Sequence, residues 1–269
     1  MNYQVLVLDL DGTLTNSKKE ITAPTRQALI EIQQEGKIVV LASGRPIYGV
    51  APLAEELDMK HYGGYMLSFN GARITRCSNG EIVYNRTIPT EVIRPIYNTI
   101  REYDGLDLIT YSDTEILSGI KSNEFTEKEA AINHMNIRPV EDFPTAFDFP
   151  VNKLLVPGEP ALLEELMPKL QAQYHGLLNI YRSEPFFLEI MPQNIDKAHS
   201  LQKLLNSLGL TADSMICCGD GFNDLSMIEY AGLGVAMENA QIIIKESADF
   251  ITKSNDDDGI LHVINEFMR

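Results

Sequence analysis

Four consecutive apolar residues, Val5-Leu6-Val7-Leu8, form a run that stops at Asp9. A leucine-rich, β-branched run without alternation is the pattern of a strand covered on both faces of a parallel sheet. Similar runs recur at 38–42, 66–69 and 215–218. Between the first two, Thr22 is placed to cap a helix with Pro24 in its first turn. Ala28, Leu29 and Ile32 follow at helical spacing, and Gly36 closes the element. Strand, helix, strand predicts a right-handed βαβ unit, so the residues after Leu41 should share a sheet edge with those after Leu8. A second helix is expected over 47–57, and the strand at 66–69 should turn at Asn70-Gly71.

From about Gly80 the rhythm changes. Residues 81–88 alternate like a half-exposed strand, and Pro89 opens a helix carrying Val92, Ile96 and Ile100. Segments 106–111 and 115–120 predict a hairpin turning at Ser112-Asp113-Thr114. A polar helix over 124–134, a proline-rich connector over 139–150, a strand at 153–156, a helix over 161–174 and strands at 177–182 and 186–191 complete the region. Neighbouring strand pairs suggest an antiparallel sheet with helices on one face. After Pro192 the alternation resumes, with helices over 198–208, 225–230, 240–247 and 259–267 and strands at 215–218 and 234–236. The expected fold is α/β, a Rossmann-like doubly wound parallel-sheet core formed by 1–82 and 188–269, with an inserted α+β domain over 83–187.

Composition narrows the function. The formal net charge of −16 argues against a nucleic-acid or anionic-membrane surface. It also means that an anionic substrate would need a locally positive site. No apolar run approaches the roughly 18 residues of a membrane span, and Met1-Asn2-Tyr3-Gln4 lacks the basic start of a signal peptide, so a cytoplasmic location is expected. Cys77, Cys217 and Cys218 have no CxxC spacing and are expected to be buried reduced thiols rather than disulfides or zinc ligands. The five histidines show no paired spacing and are taken as structural or surface residues.

Three predicted strands end in polar, glycine-containing turns: Asp9-Leu10-Asp11-Gly12-Thr13, Ser43-Gly44-Arg45, and Gly219-Asp220-Gly221-Phe222-Asn223-Asp224. Strand alternation puts Asp9 and Asp11 on one side, where they are expected to converge. Two adjacent carboxylates repel unless a cation or a shared proton relieves them. Ligands of open parallel sheets bind at the carboxyl ends of strands where strand order reverses. Carboxylates there, completed by water and a phosphate, suit Mg²⁺ better than Ca²⁺ or Zn²⁺. Lys197 lies at a helix start, which itself favours an anion. Taken singly, each feature has a plainer reading. Asp9 and Asp11 could form a solvated turn, Ser43 and Asp224 could be helix caps, and Lys197 could be a solvated lysine. Asn70-Gly71 reads as a turn near a hinge, and Arg45 could line a pocket or only brace its loop.

Taken together, these motifs in this order resemble the four motifs of the haloacid dehalogenase superfamily. The large insertion, with Phe69-Asn70-Gly71-Ala72 before it, is similar to the Cof-type (subclass IIB) sugar-phosphate phosphatases. The resemblance spans the chain and implies a set of roles. Asp9 would be the nucleophile that forms an aspartyl-phosphate. Asp11 would act as general acid and then general base. Mg²⁺ would be held by Asp9, the Asp11 carbonyl and Asp220, with Asp224 bound through water or anchoring the site. Ser43, Lys197 and the N–H groups of Leu10 and Gly44 would bind phosphate oxygens. Asn223 would orient Lys197 or the phosphate. The implied activity is hydrolysis of a small phosphate ester, by a monomer or small homo-oligomer. The alternatives are a phosphomutase of the phosphomannomutase type and a non-catalytic phospholigand-binding protein.

The cap, about a hundred residues where connections usually run to ~4–6, is expected to sit over the catalytic edge and set specificity. Tyr111, Lys121, Arg182 and Glu184 are its candidate contacts.

Overall fold

The computed structural model describes residues 3–269. Met1 and Asn2, part of the segment expected to lack a leader, lie outside the described residues. The chain divides into two units, one running to Tyr84 and resuming at Asp196, the other spanning Asn85–Ile195.

In the first unit, β1 (Val5–Leu8) is fully buried near the middle of an eight-stranded sheet. Each of its side chains contributes about 1.5–3 kcal/mol of transfer free energy. α1 (Ala23–Gln34) starts as the sequence predicts. Thr22 Oγ1 accepts from Thr25 N, and Pro24 sits where the helix needs no N–H. β2 (Ile38–Ala42) then pairs in parallel with β1. α2 (Ile47–Glu56) and the short α3 (Met59–Tyr62) lead to β3 (Tyr65–Ser68). β4 (Arg73–Arg76), not foreseen in the sequence, turns back antiparallel on β3, and β5 (Ile82–Asn85) forms the sheet edge.

The second unit contains α4 (Thr90–Ile100), β6 (Ile109–Tyr111), β7 (Glu115–Ser118), α5 (Glu124–Asn133) and β8 (Asn136–Pro139). It continues with β9 (Leu154–Pro157), α6 (Pro160–Gln173), β10 (Leu178–Glu184) and β11 (Phe187–Pro192). The six-stranded sheet has the order β10-β11-β9-β6-β7-β8. It differs from the expectation in three respects. β8 is an added edge strand that pairs in parallel with β7. The helices do not share one face: α4 and α6 pack with Leu108, whereas α5 bonds Tyr111 Oη through Glu129, on the opposite side of β6. A boundary at 187/188 would cut β11 from β9 and β10, with which it pairs, so the unit extends to Ile195.

The first unit resumes with α7 (Lys197–Leu208), β12 (Met215–Gly219), α8 (Leu225–Tyr230), β13 (Leu233–Ala236), α9 (Ile242–Ser247), β14 (Phe250–Ile251) and α10 (Gly259–Phe267). Its sheet order is β14-β13-β12-β1-β2-β3-β4-β5, parallel from β14 to β3. Chain order therefore runs outward in both directions from β1, which places the reversal at the ends of β1, β2 and β12. Alternation separates two cores. Leu6 and Leu8 pack with α1 and α10, and Val5 and Val7 pack with α7. The cysteines are free thiols, Cys217 and Cys218 fully buried and Cys77 only half-buried. No helix of the described residues is long and apolar enough to cross a membrane.

Candidate active site at the carboxyl edge of the large sheet

Asp9 continues the face of Val5 and Val7, the face against which α7 packs, so the first residue of that helix reaches it. Lys197 is completely buried. Its ammonium donates to Asp9 Oδ1 at 2.6 Å, Asp224 Oδ1 at 2.5 Å and the Ala42 carbonyl at 2.8 Å. Three donors thus meet three acceptors contributed by the residue after β1, the last residue of β2 and the turn after β12. Burial works against the charge on Lys197, but Asp224 and Asp9 outweigh it and raise its pKa above the ordinary value. Burial, reinforced by Asp224, pushes the Asp9 carboxyl well above the usual carboxylate range, and Lys197 offsets this only in part.

Asp224 is fully buried and its carboxylate is committed on both sides. Oδ1 accepts from Lys197, while Oδ2 accepts from the N–H groups of Asp220 and Gly221, each at 3.0 Å. Of the two roles expected for Asp224, this arrangement fits the anchor that shapes the turn.

Oxygen atoms of Asp9, Asp220 and Asp224 come within 4.8 Å of one another. Asp220 Oδ1 accepts from Thr13 Oγ1 at 2.7 Å, yet burial pushes the Asp220 carboxyl up to about 6. Hard oxygen donors gathered without imidazole or thiolate fit a small divalent cation such as Mg²⁺. The arrangement depends on Gly12, whose φ is +86° and whose Cβ, if present, would lie 2.4 Å from Asp220 Oδ2. Gly12→Ala should therefore displace the Asp220 carboxylate as well as strain the turn. The expected result is at least about a tenfold loss of divalent-metal affinity, a shift of about 1.4 kcal/mol, read by calorimetric titration. Unchanged affinity would remove Asp220 from the metal-binding set.

The Asp11 carboxylate is not among the three gathered there. It accepts from Arg45 Nε at 2.9 Å, Arg45 Nη2 at 2.6 Å and Lys19 Nζ at 2.8 Å. Burial opposes ionisation, but the hydrogen bonds from Lys19 and Arg45 hold this carboxyl below its usual range. Only the Asp11 main chain therefore remains as an expected metal ligand, and the side chain stands in a separate cationic clamp. Arg45 does more than brace its loop, and Lys19 gave no signal in the sequence beyond its charge.

The phosphate-binding candidates flank this edge. Ser43 is buried, its N–H donating to the Leu67 carbonyl and its Oγ accepting from Arg45 N at 3.2 Å. Gly44 lies against the side chain of Asn70. The Asp9 carbonyl accepts from Leu14 N at 3.2 Å, which fixes the peptide that carries the Leu10 N–H, and the Leu10 carbonyl accepts from Thr15 N and Thr15 Oγ1, which fixes the next one. Asn223 does not bond Lys197, whose donors are already engaged. Its Nδ2 donates instead to Asn70 Oδ1 at 3.3 Å. Sequence reading placed Asn70 only in a turn.

A family model described as haloacid dehalogenase-like hydrolase matches residues 6–264. A 5-amino-6-(5-phospho-D-ribitylamino)uracil phosphatase of Bacillus subtilis, YcsE, is 30% identical over 268 residues, covering 100% of this chain and 97% of its own. A haloacid dehalogenase-like hydrolase from Bacteroides thetaiotaomicron has a solved structure that superposes with a TM-score of 0.94 at 46% identity, covering 98% of this chain and 99% of its own. The subclass IIB sugar phosphatase BT4131 superposes with a TM-score of 0.80 at 26% identity, covering 97% of this chain and 98% of its own.

Proposed function

We propose that this chain, which belongs to the haloacid dehalogenase-like hydrolases, is a Mg²⁺-dependent phosphatase that passes the phosphoryl group of a small metabolite to Asp9 and then to water. The observation that carries this reading is the buried Asp9 carboxylate, held by a buried ammonium beside Asp220 at the point where strand order reverses. A carboxylate oriented in this way is a competent in-line nucleophile.

Mg²⁺ held by Asp9, Asp220 and the Asp11 carbonyl would neutralise charge on the transferring group. Lys197 offsets the negative charge of Asp9 and Asp224, so an anionic ester can approach despite the acidity of the chain. Ser43 and the N–H groups of Leu10 and Gly44 receive phosphate oxygens. In its clamp, Asp11 is the ionised form that suits the base half of the cycle, accepting a proton from the attacking water. To act as the acid that protonates the leaving alkoxide, Asp11 must leave Arg45 and Lys19. YcsE and BT4131 carry names that describe phosphate esters of polyhydroxylated carbon chains. A sugar or polyol phosphate is accordingly the proposed substrate class, with Asn85–Ile195 setting the choice among such esters. A cytoplasmic location belongs to the same proposal.

The test is phosphate release from a panel of phosphorylated metabolites, with and without chelator. Activity should require added Mg²⁺, vanish with chelator and be inhibited by Ca²⁺, whose larger and looser coordination suits the site poorly. Acid quenching during turnover should leave a phosphoryl adduct on the peptide containing Asp9. Mg²⁺ should also raise the melting temperature of the metal-free protein, since its binding to the folded state is linked to stability. Full activity in chelator, or an adduct on a peptide without Asp9, would overturn the proposal.

A further inference from the structure

The segment joining β3 to β4 holds three consecutive positive φ angles, 52° at Phe69, 52° at Asn70 and 100° at Gly71. Outside glycine, the left-handed region costs about 1–3 kcal/mol per residue and persists only where the surroundings impose it. Here main-chain bonds impose it. Phe69 N donates to the Arg45 carbonyl and Asn70 N to the Ser43 carbonyl, each at 3.0 Å. On the other side, a Cβ at Gly71 would lie 2.3 Å from Ser200 Oγ and 2.8 Å from the Asp196 carbonyl, so the backbone is pressed against the start of α7, which carries Lys197. A simple reversal between two strands does not call for a left-handed phenylalanine, because two-residue turns of Asn, Gly or Asp serve that purpose.

The product of this backbone is the position of the Asn70 carboxamide. Its atoms lie 3.1–3.4 Å from where a Gly44 Cβ would stand, and its Oδ1 accepts from Asn223 Nδ2. One side chain thus touches the loop after β2 and the loop after β12. Those loops carry Ser43 and Gly44 on one side, and Asp220, Asn223 and Asp224 on the other. We infer that Asn70 is a positioning residue for the phosphoryl group. Its carboxamide spans the two loops, fixing the Asn223 amide and the Gly44 peptide for the phosphate oxygens. This inference rests on the phosphatase reading, and the strained turn is what holds the carboxamide in place.

Asn70→Gly separates the two contributions, because glycine adopts this backbone without strain and deletes only the carboxamide. The expected result is a melting temperature within a few degrees of wild type. KM for the best phosphate ester and Ki for inorganic phosphate should rise together by about tenfold, the equivalent of one well-placed hydrogen bond to a charged group. kcat should change less. Asn70→Asp keeps both tolerance of the left-handed backbone and the acceptor for Asn223 Nδ2, but adds a negative charge beside the phosphate. It should weaken phosphate binding more than Asn70→Gly, and it gives an independent reading if glycine loosens the turn. Because Asn70 acts in part through Asn223, the double variant Asn70→Gly, Asn223→Ala should lose less than the sum of the two single losses.

Values of KM and Ki within twofold of wild type in Asn70→Gly and Asn70→Asp, or full additivity in the double variant, would reduce Asn70 to a turn-forming residue. A wild-type protein that neither hydrolyses phosphate esters nor binds phosphate would overturn the phosphatase reading instead. That failure is seen before any variant is made.

Discussion

Asp9→Asn should abolish turnover and leave the fold intact. The amide has the size of the carboxylate, and its carbonyl oxygen can still accept from Lys197 Nζ, the contact that spans 2.6 Å in the native site. What it loses is the anionic oxygen proposed to attack phosphorus. Removing a nucleophile from a site that acts as a unit costs far more than a hydrogen bond, so turnover should fall by about a thousandfold or more. Stability should respond in the opposite direction. Burial and the neighbouring Asp224 hold the Asp9 carboxyl above its usual range, so in the folded state the ionised form is disfavoured. A carboxyl whose folded pKa is raised contributes stability at low pH and loses it as pH rises through the folded value. Asn cannot ionise and escapes that loss. The metal-free variant should therefore melt no lower than metal-free wild type near neutral pH, and the comparison should shift in favour of wild type as the buffer is made acidic. Phosphate release and thermal melts in chelator measure the two halves. Turnover within tenfold of wild type would show that another group attacks the phosphate.

Asp9, Ser43 and Asp220 are far apart in the chain yet can be grouped from the sequence alone, because each directly follows an unbroken apolar strand. In a parallel sheet such positions share an edge. The elements missed are those with little pattern to read. β14 has two residues, and β4 and β8 have four each, β8 being mostly exposed and ending in a proline that suits only an edge strand. The Asp11 carboxylate lies outside the cluster of Asp9, Asp220 and Asp224 for a different reason. Alternation holds only inside a strand, and the chain leaves β1 at Leu8, turning through Gly12 at φ +86°. The clamp on Asp11 was out of reach of sequence reasoning. Lys19 approaches it from a turn with its own left-handed φ of 64°, and no periodicity encodes that approach. The Asn-Gly pair at 70–71 was legible as a turn, whereas its contacts with the loops after β2 and β12 arise only from tertiary packing.

Lys197→Ala should damage both stability and chemistry, in contrast to the Asp9 variant. The native ammonium is wholly buried and has an acceptor for each of its hydrogens in Asp9, Asp224 and the Ala42 carbonyl. Its removal leaves two buried carboxylates without a cation and the Ala42 carbonyl without this donor. Breaking a buried ion pair by deleting one partner typically costs about 3–5 kcal/mol, and at about 2–4 °C per kcal/mol the metal-free variant should melt on the order of ten degrees lower. The remaining carboxylates should recover part of this loss by taking up a proton, so the deficit should shrink as pH falls. A divalent cation can also replace some of the missing charge, and the melting temperature gained on adding Mg²⁺ should be larger in the variant than in wild type. Turnover should not recover with it. A protonated Asp9 cannot attack, and an ionised one would face the phosphate dianion without the charge that offsets it, so activity should stay at least about a thousandfold down even where Mg²⁺ restores the fold. Melts in chelator and in Mg²⁺, together with phosphate release at saturating substrate, test each step. A variant that keeps both its melting temperature and its turnover would mean that Lys197 neither neutralises Asp9 nor holds the turn of Asp224.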